Sequence, residues 1–183
     1  PEQVPGWQKT IISKCRMIGK PVIVATQMLE SMIEAPAPTR AEASDVAGAV
    51  FDGADAVMLS AETAAGRHPI EAVQFMSRIV IEAESHILKH PESGPGQLPV
   101  ENTVYHAVAR TSVSLAETVE AKVMVAFSSS GNTALRIARE RPLIPFFVMT
   151  PNLKVQRRLG LLWGTRTAAS AFSEDFESAI TEA

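Results

Sequence analysis

The sequence has very little cysteine, which bears on both the fold and the compartment. Cys15 is the single cysteine among 183 residues, so a disulfide framework is excluded. A lone thiol fits a reducing compartment, and we therefore expect a cytoplasmic protein. Its helical context predicts that Cys15 packs as a small buried apolar residue.

Two further absences concern partners. No apolar run approaches the roughly 20 residues that are needed to span a bilayer. Positive charge is not in excess either, because the formal net charge is -3 at pH 7, whereas nucleic acids and anionic membranes attract basic proteins. We therefore expect neither nucleic acid nor membrane as a partner. The composition, 46% hydrophobic and 20% charged, is typical of a folded globular chain.

The spacing of metal ligands is absent as well. The four histidines are His68, His86, His90 and His106, and none has acidic or thiol residues at the spacing of a zinc site. His86 and His90 are four residues apart, but no third ligand is near them in the sequence. This pattern indicates a solvated helix end and predicts no metal ligand in the chain.

The first half of the chain predicts helices that alternate with short buried strands. Residues 6–18 have the apolar spacing of a helix with one buried face, formed by Trp7, Ile11, Ile12, Cys15 and Ile18. The uniformly apolar runs at 21–26 and 54–60 are typical of parallel strands covered on both faces. Thr39 and Glu42 match the capping box that begins a second helix, and Pro69 suits the start of a third.

The second half repeats this alternation after a break in composition. Proline, glycine and serine accumulate in KHPESGPGQLP at 89–99, which favours a domain boundary. Beyond it the patterns predict helices at 101–118, at 132–140 and after Pro151, and strands at 122–127, 144–149 and 161–165. We expect a domain at 1–89, a linker at 90–99 and a second domain at 100–183, both α/β with parallel sheets. The first residue is proline, and 173–183 resemble a helix stopped partway, so we expect a piece of a longer chain.

Polar groups follow the two strands predicted in the first half. Thr26 and Gln27 end one, and Ser60 and Glu62 end the other. Ligands of parallel α/β folds gather at the carboxyl ends of strands, so these side chains are candidate site residues. The alternative is that the two hydroxyls only cap the helices that follow.

A serine-rich turn in the second half predicts a different chemistry. In AFSSSGNTA at 126–134, a strand ends and a helix begins at Asn132 or Thr133. Helix N-termini present free N–H groups and partial positive charge, which suit phosphate. The loop lacks the lysine and the spacing of a Walker A motif, and helix capping is again the alternative. Arg136, Arg139 and Arg141 are interpreted as the solvent face of the helix, with no role in the site.

The residues from 20 to 73, KPVIVATQMLESMIEAPAPTRAEASDVAGAVFDGADAVMLSAETAAGRHPIEAV, resemble the last third of the pyruvate kinase barrel. GWQKTIISKCRMIGKP continues the resemblance upstream. The second half resembles the start of that family's C-terminal domain through SSSGNTA, ARERP and LLWGT. The resemblance implies the last strands and helices of a (β/α)8 barrel followed by an incomplete α/β domain.

The resemblance also implies an activity. Pyruvate kinases transfer the phosphoryl group of phosphoenolpyruvate to ADP in glycolysis, giving pyruvate and ATP, with Mg²⁺ and usually K⁺. It implies that Thr26 contacts the substrate near the protonation face of the enolate, with Ser60 and Glu62 in support. Arg40 matches a subunit interface of the family's tetramers. The loop residues that match the phosphate site of a sugar-phosphate activator are Ser128, Ser129, Ser130, Gly131, Asn132 and Thr133.

The same resemblance implies that much of the catalytic machinery lies elsewhere. The family's essential lysine and its metal and nucleotide ligands belong to earlier strands, so we expect this segment alone to be inactive. No basic residue lies within the SSSGNT loop. The alternatives are a non-catalytic module that binds phosphate ligands or oligomerises, and a different barrel enzyme with a similar mouth.

Overall fold

The computed structural model describes residues 2–99 and 101–170, which form two compact units. Of these residues, the first unit contains 2–16 and Pro21–Gly96, and the second contains Met17–Lys20, 97–99 and 101–170. The boundary after Gly96 falls inside the segment at 90–99 that is rich in proline and glycine. The helix expected at 173–183 lies outside the described residues.

The first unit alternates helices with two short strands. Its elements are α1 (Val4–Met17, whose last residue belongs to the second unit), β1 (Ile23–Ala25), α2 (Arg40–Phe51), β2 (Ala56–Met58), α3 (Ala61–Ala64) and α4 (Pro69–Lys89). Short 3-10 helices lie at Glu30–Ile33 and Pro91–Ser93. Thr39 caps α2 in a complete capping box with Glu42, and Pro69 begins α4, as predicted.

The two strands of the first unit are parallel. Ile23 pairs with Ala56 and Ala25 with Met58. At the amino ends, the Asp55 carboxylate accepts a hydrogen bond from the Val22 N–H at 3.0 Å. This register sends the segments that follow β1 and β2 out at the same edge of the sheet.

The core of the first unit lies between this sheet and the helices α2 and α4. Its largest cluster contains Met28, Leu29, Met32, Val46, Ala72 and Met76, and a smaller one contains Ile12, Ala49 and Ala54. The prediction that both strands are covered on both faces was wrong, because Ile23 and Met58 are exposed at the sheet ends. Val24 and Val57 pack against the core from the other side of the pleat.

The predicted buried face of the first helix was also wrong in part. Ile12 is buried, but Trp7 is 61% exposed, Ile11 51% and Ile18 67%. The residue that is buried beside Ile12 is Arg16, whose guanidinium donates to the Gly96 carbonyl at 3.2 Å. The spacing of apolar residues identified the helix correctly. The prediction was wrong in part because the apolar face of this helix is not the face that is buried.

The second unit is a three-stranded parallel sheet with helices. Its elements are α5 (Val104–Thr118), β3 (Met124–Phe127), α6 (Asn132–Arg139), β4 (Phe146–Thr150), α7 (Leu153–Leu159) and β5 (Thr165–Ala169). The strand order is β3-β4-β5, and both pairings are parallel. The last strand was predicted at 161–165, but residues 161–164 form the turn before it. Leu162 and Trp163 are nevertheless buried, which explains why that run resembled a strand.

The core of the second unit is centred on β4. Phe146 and Val148 are fully buried, with Ile137 of α6 and Leu159 of α7 in the same cluster. Among the described residues, no helix combines the length and the apolar character that crossing a membrane requires.

Candidate functional site

The carboxyl ends of β1 and β2 bring the first group of predicted site residues together. Because Ala25 pairs with Met58, Thr26 leaves β1 beside the point where Leu59 and Ser60 leave β2. Thr26 is exposed and Ser60 is half-buried. The sequence therefore placed both hydroxyls correctly at one edge of the sheet.

The backbone at Thr26 is strained. Thr26 has φ of 71° and Gln27 has φ of 55°, so two consecutive residues other than glycine adopt the left-handed region. A β-branched residue is a genuine outlier there, and such strain of about 1–3 kcal/mol clusters at active sites and ligand clamps. The Thr26 hydroxyl donates to the Ala25 carbonyl at 2.6 Å.

Helix capping does not explain either hydroxyl. Ser60 occupies the N-cap position of α3, but its side chain makes no capping hydrogen bond. The N-cap of the 3-10 helix after β1 is Leu29, not Thr26. The structure thus removes the main alternative for these positions.

Glu62 connects the two strand ends. Its side chain is buried, with the residue only 3% exposed. One carboxylate oxygen accepts from the Ser60 N–H at 2.7 Å, and the other accepts from the Leu29 N–H at 3.2 Å. Burial acts to raise the pKa of Glu62, but hydrogen bonds from the backbone, those from Ser60 and Leu29 included, outweigh it and lower the pKa. Glu62 is therefore held as a carboxylate that fixes both turns.

Glu42 makes a second connection that the sequence did not reveal. Besides its capping bond to the Thr39 N–H at 2.7 Å, its carboxylate accepts from the N–H and the hydroxyl of Ser31 at 2.7 and 2.5 Å. Burial acts to raise the pKa of Glu42, but the bonds from Ser31 and Thr39 lower it to about 2. The capping box was visible in the sequence, whereas the contact with Ser31 has no local signal.

The serine-rich loop of the second unit forms a tight turn at the start of α6. Gly131 is the N-cap residue with φ of 84°, a conformation that favours glycine. The Ser128 hydroxyl is buried and accepts from the Gly131 N–H at 2.9 Å. The Ser130 hydroxyl accepts from the Asn132 N–H at 3.4 Å. Ser129 and Thr133 are exposed.

A basic side chain reaches this loop from another helix. The Arg158 guanidinium, on α7, donates to the Ser130 carbonyl at 2.7 Å. Its Nη2 atom lies only 3.1 Å from the position that a Cβ atom on Gly131 would occupy. The loop itself has no basic residue, and nothing local in the sequence links Arg158 to it.

The interpretation of Arg136, Arg139 and Arg141 as the solvent face of a helix was wrong. Arg139 and Arg141 are 5% and 6% exposed, and Arg136 is half-buried. Arg139 donates to the Glu101 carboxylate at 2.8 Å, Arg141 donates to the Ala138 carbonyl at 2.7 Å, and Arg136 lies over the Tyr105 ring. The partners of Arg139 and Arg136 are distant in sequence, so the helical pattern could not show their burial.

The remaining predicted positions make none of the hydrogen bonds described above. Arg40 is the exposed first residue of α2, and its carbonyl accepts from the Ser44 hydroxyl at 3.0 Å. The rings of His86 and His90 lie 4.8 Å apart at the end of α4. Within the described part of the chain, no three histidine, cysteine, aspartate or glutamate residues are grouped so that they could hold a metal ion.

Comparison with known proteins gives consistent matches over both units. The model of the pyruvate kinase barrel domain matches residues 1–73, and that of the pyruvate kinase alpha/beta domain matches residues 106–183. These matches confirm the predicted fold class, the end of a (β/α)8 barrel followed by part of an α/β domain with a parallel sheet.

Individual relatives agree with the family models. A pyruvate kinase of Agrobacterium vitis is 49% identical over 183 residues, which are 100% of this chain and 39% of the relative. One of Geobacillus stearothermophilus is 46% identical over 91% of this chain and 28% of the relative. A crystal structure of a pyruvate kinase from Cryptosporidium parvum superposes with a TM-score of 0.88 at 42% identity, covering 100% of this chain and 37% of that one. The chain thus spans well under half the length of the proteins it matches.

Proposed function

The chain belongs to the pyruvate kinase family, and we propose that it is part of an enzyme that transfers the phosphoryl group of phosphoenolpyruvate to ADP. The observation that carries the proposal is the shared edge of β1 and β2, where Thr26 and Ser60 emerge together and Glu62 binds both turns. Sites of parallel α/β barrels lie at this edge.

Thr26 is the residue to which we assign contact with the substrate. Its strained backbone holds an exposed hydroxyl at the edge of the sheet. When the phosphoryl group leaves phosphoenolpyruvate, an enolate remains, and a proton must reach its terminal carbon to give pyruvate. We place the Thr26 hydroxyl beside the face of the enolate that receives this proton, with Ser60 and Glu62 maintaining its position.

We assign to Glu62 and Glu42 the role of holding backbone segments in position, and no role in binding metal. Both oxygens of Glu62 accept backbone N–H groups, and the Glu42 carboxylate is occupied by Ser31 and Thr39. These two carboxylates therefore do not fit a Mg²⁺ site, which takes carboxylates that are free to coordinate. We propose that the Mg²⁺ and K⁺ of the full-length enzyme are bound by parts of the barrel outside this chain.

Phosphoryl transfer depends on positioning and on cations that neutralise the moving charge. Because we propose that the parts of the barrel that bind these cations lie outside this chain, the isolated chain should have no phosphotransferase activity. A coupled assay of pyruvate formation with the purified segment tests this, with the full-length enzyme as the positive control. Turnover above that of a mock purification would overturn the assignment of catalysis to the missing strands.

A second role, regulatory or assembling, is favoured by the loop at 128–133. Its buried Ser128, its left-handed Gly131 and the guanidinium of Arg158 suit the phosphate group of a sugar-phosphate activator, since helix N-termini and arginine both bind phosphate.

We further propose a cytoplasmic homotetramer with the exposed Arg40 at a subunit interface. Calorimetry with sugar mono- and bisphosphates, and sedimentation of an Arg40→Ala variant, test these two assignments.

A further inference from the structure

The second unit contains a cavity that the proposed function does not use. Its volume is about 200 Å³, and it is lined by the start of α5, one face of α6 and the segment at 17–19 that belongs to the same unit. Pockets for drug-sized ligands measure about 300–1,000 Å³. This cavity therefore suits a smaller molecule.

A surplus of positive charge lines the cavity. Arg136 is half-buried there, and its guanidinium carbon lies 4.7 Å from the centre of the Tyr105 ring. Among the described residues it makes no ion pair and no hydrogen bond. The ring contacts the guanidinium but does not neutralise its positive charge. A partly buried charge without an opposite charge favours an anionic ligand.

The neighbouring groups show which anion fits. The carboxylate of Glu101, which also lines the cavity, meets Arg139 Nη1 at 2.8 Å and His106 Nε2 at 2.5 Å. Arg139 is thus already balanced, and the unpaired charge rests on Arg136, three residues earlier on the same face of α6. A carboxylate can form paired, planar contacts with a guanidinium, so a carboxylate ligand suits Arg136.

Apolar side chains form part of the remaining lining, beside the polar Asn132. Leu135 and Met17 contribute to the wall, and Met17 remains 39% exposed. A ligand with a short hydrocarbon part would remove this surface from water, which is favourable at about 25 cal/mol per Å² of apolar area. A guanidinium and apolar side chains in the same lining suit an amphipathic acid.

We propose that this cavity is a binding site for a small monocarboxylate, with its carboxylate on Arg136 and its hydrocarbon chain against Leu135 and Met17. The cavity belongs to the second unit, whereas Thr26 belongs to the first, and the proposal does not require the catalytic role of Thr26.

Calorimetric titration of the full-length protein with hexanoate tests the proposal. We expect saturable binding that weakens roughly tenfold or more in Arg136→Gln, since hydrogen bonds to charged groups contribute about 1.5–3 kcal/mol. The uncharged hexanamide should not bind measurably. Arg136→Lys keeps the charge and should bind more tightly than Arg136→Gln.

The matched control is Arg157→Gln, which removes an equal charge from an exposed position on α7 and should bind hexanoate like the wild type. Nuclear magnetic resonance of the His106 ring provides a second readout that needs only the wild-type protein. Hexanoate in the cavity should shift the His106 signals, and this test does not depend on whether a variant folds. Absence of binding, equal binding of hexanamide, an equal loss in Arg157→Gln, or unmoved His106 signals at saturation would each overturn the proposal.

Discussion

The buried carboxylate of Glu62, in α3 after β2, accepts a hydrogen bond at 3.2 Å from the N–H of Leu29, which lies in the segment after β1. Its other oxygen holds the Ser60 N–H at 2.7 Å. One side chain therefore fixes the separation of the two segments that carry Ser60 and Thr26. The candidate site depends on this carboxylate for its shape.

Replacing Glu62 by glutamine should loosen both turns. A glutamine has one acceptor oxygen, and its NH₂ group would face one of the two backbone donors. Leaving a buried donor unsatisfied costs about 1–3 kcal/mol, so the amides of Leu29 and Ser60 should exchange with deuterium about tenfold faster or more if local opening governs exchange. Hydrogen–deuterium exchange on the full-length enzyme measures this directly.

Glu82→Gln is the matched control, because Glu82 is an exposed residue of α4. It should leave the exchange of both amides at the wild-type rate. Unchanged protection of Leu29 and Ser60 in Glu62→Gln would show that the carboxylate does not hold the turns.

Glu42 should make the stability of the first unit depend on pH. Its pKa is lowered from 4.5 to about 2 in the folded protein, so the unfolded chain binds the proton more readily. The resulting stabilisation is complete above about pH 4.5 and is lost as the pH falls towards 2. Denaturant midpoints at pH 7 and pH 3 should therefore differ less in Glu42→Gln than in the wild type.

The Glu42→Gln variant should also be less stable at pH 7, because it loses acceptors for Ser31 and Thr39. Glu82→Gln again serves as the control for removing one carboxylate. If Glu42→Gln has the same difference between pH 7 and pH 3 as the wild type, the lowered pKa does not contribute to folding.

Much of this architecture followed from local signals. The capping box at Thr39 and Glu42, the proline at the start of α4 and the apolar strand runs were all predictable, because each depends on residues a few positions apart. The polar ends of β1 and β2 could also be placed at one edge, since parallel strands share a direction. Strand limits were less accurate, because Leu162 and Trp163 are buried in a turn and mimic a strand.

Long-range contacts were not predictable from the same signals. Arg139 is buried through Glu101, 38 residues away, and Arg158 reaches Ser130 across 28 residues. Helical periodicity predicts that an arginine is exposed to solvent, because it contains no information about a partner on another helix or strand. The hydrogen bonds between Glu42 and Ser31 were not predictable for the same reason.

Gly131 provides a test of the loop as a phosphate site. Its φ of 84° disfavours other residues, and an added Cβ would lie 3.1 Å from both Arg158 Nη2 and Val155 Cγ1. Gly131→Asp adds a negative charge there as well, so calorimetry should detect no binding of sugar phosphates. Gly48→Ala, in α2 with open space around it, should bind as the wild type does. Wild-type affinity in Gly131→Asp would contradict the proposed phosphate site.

Thr26 provides the most direct test of the proposed catalytic edge. Thr26→Ala removes the hydroxyl, and the kcat of the full-length enzyme should fall by about 10²-fold or more, as is typical when a group involved in proton transfer is lost. Thr26→Ser keeps the hydroxyl and should retain most activity. Because threonine is β-branched and has φ of 71°, neither substitution adds strain, so melting temperatures should not fall. A large loss of kcat in a fully stable Thr26→Ala would therefore report chemistry and not unfolding. Wild-type kinetics in the same variant would remove Thr26 from the mechanism.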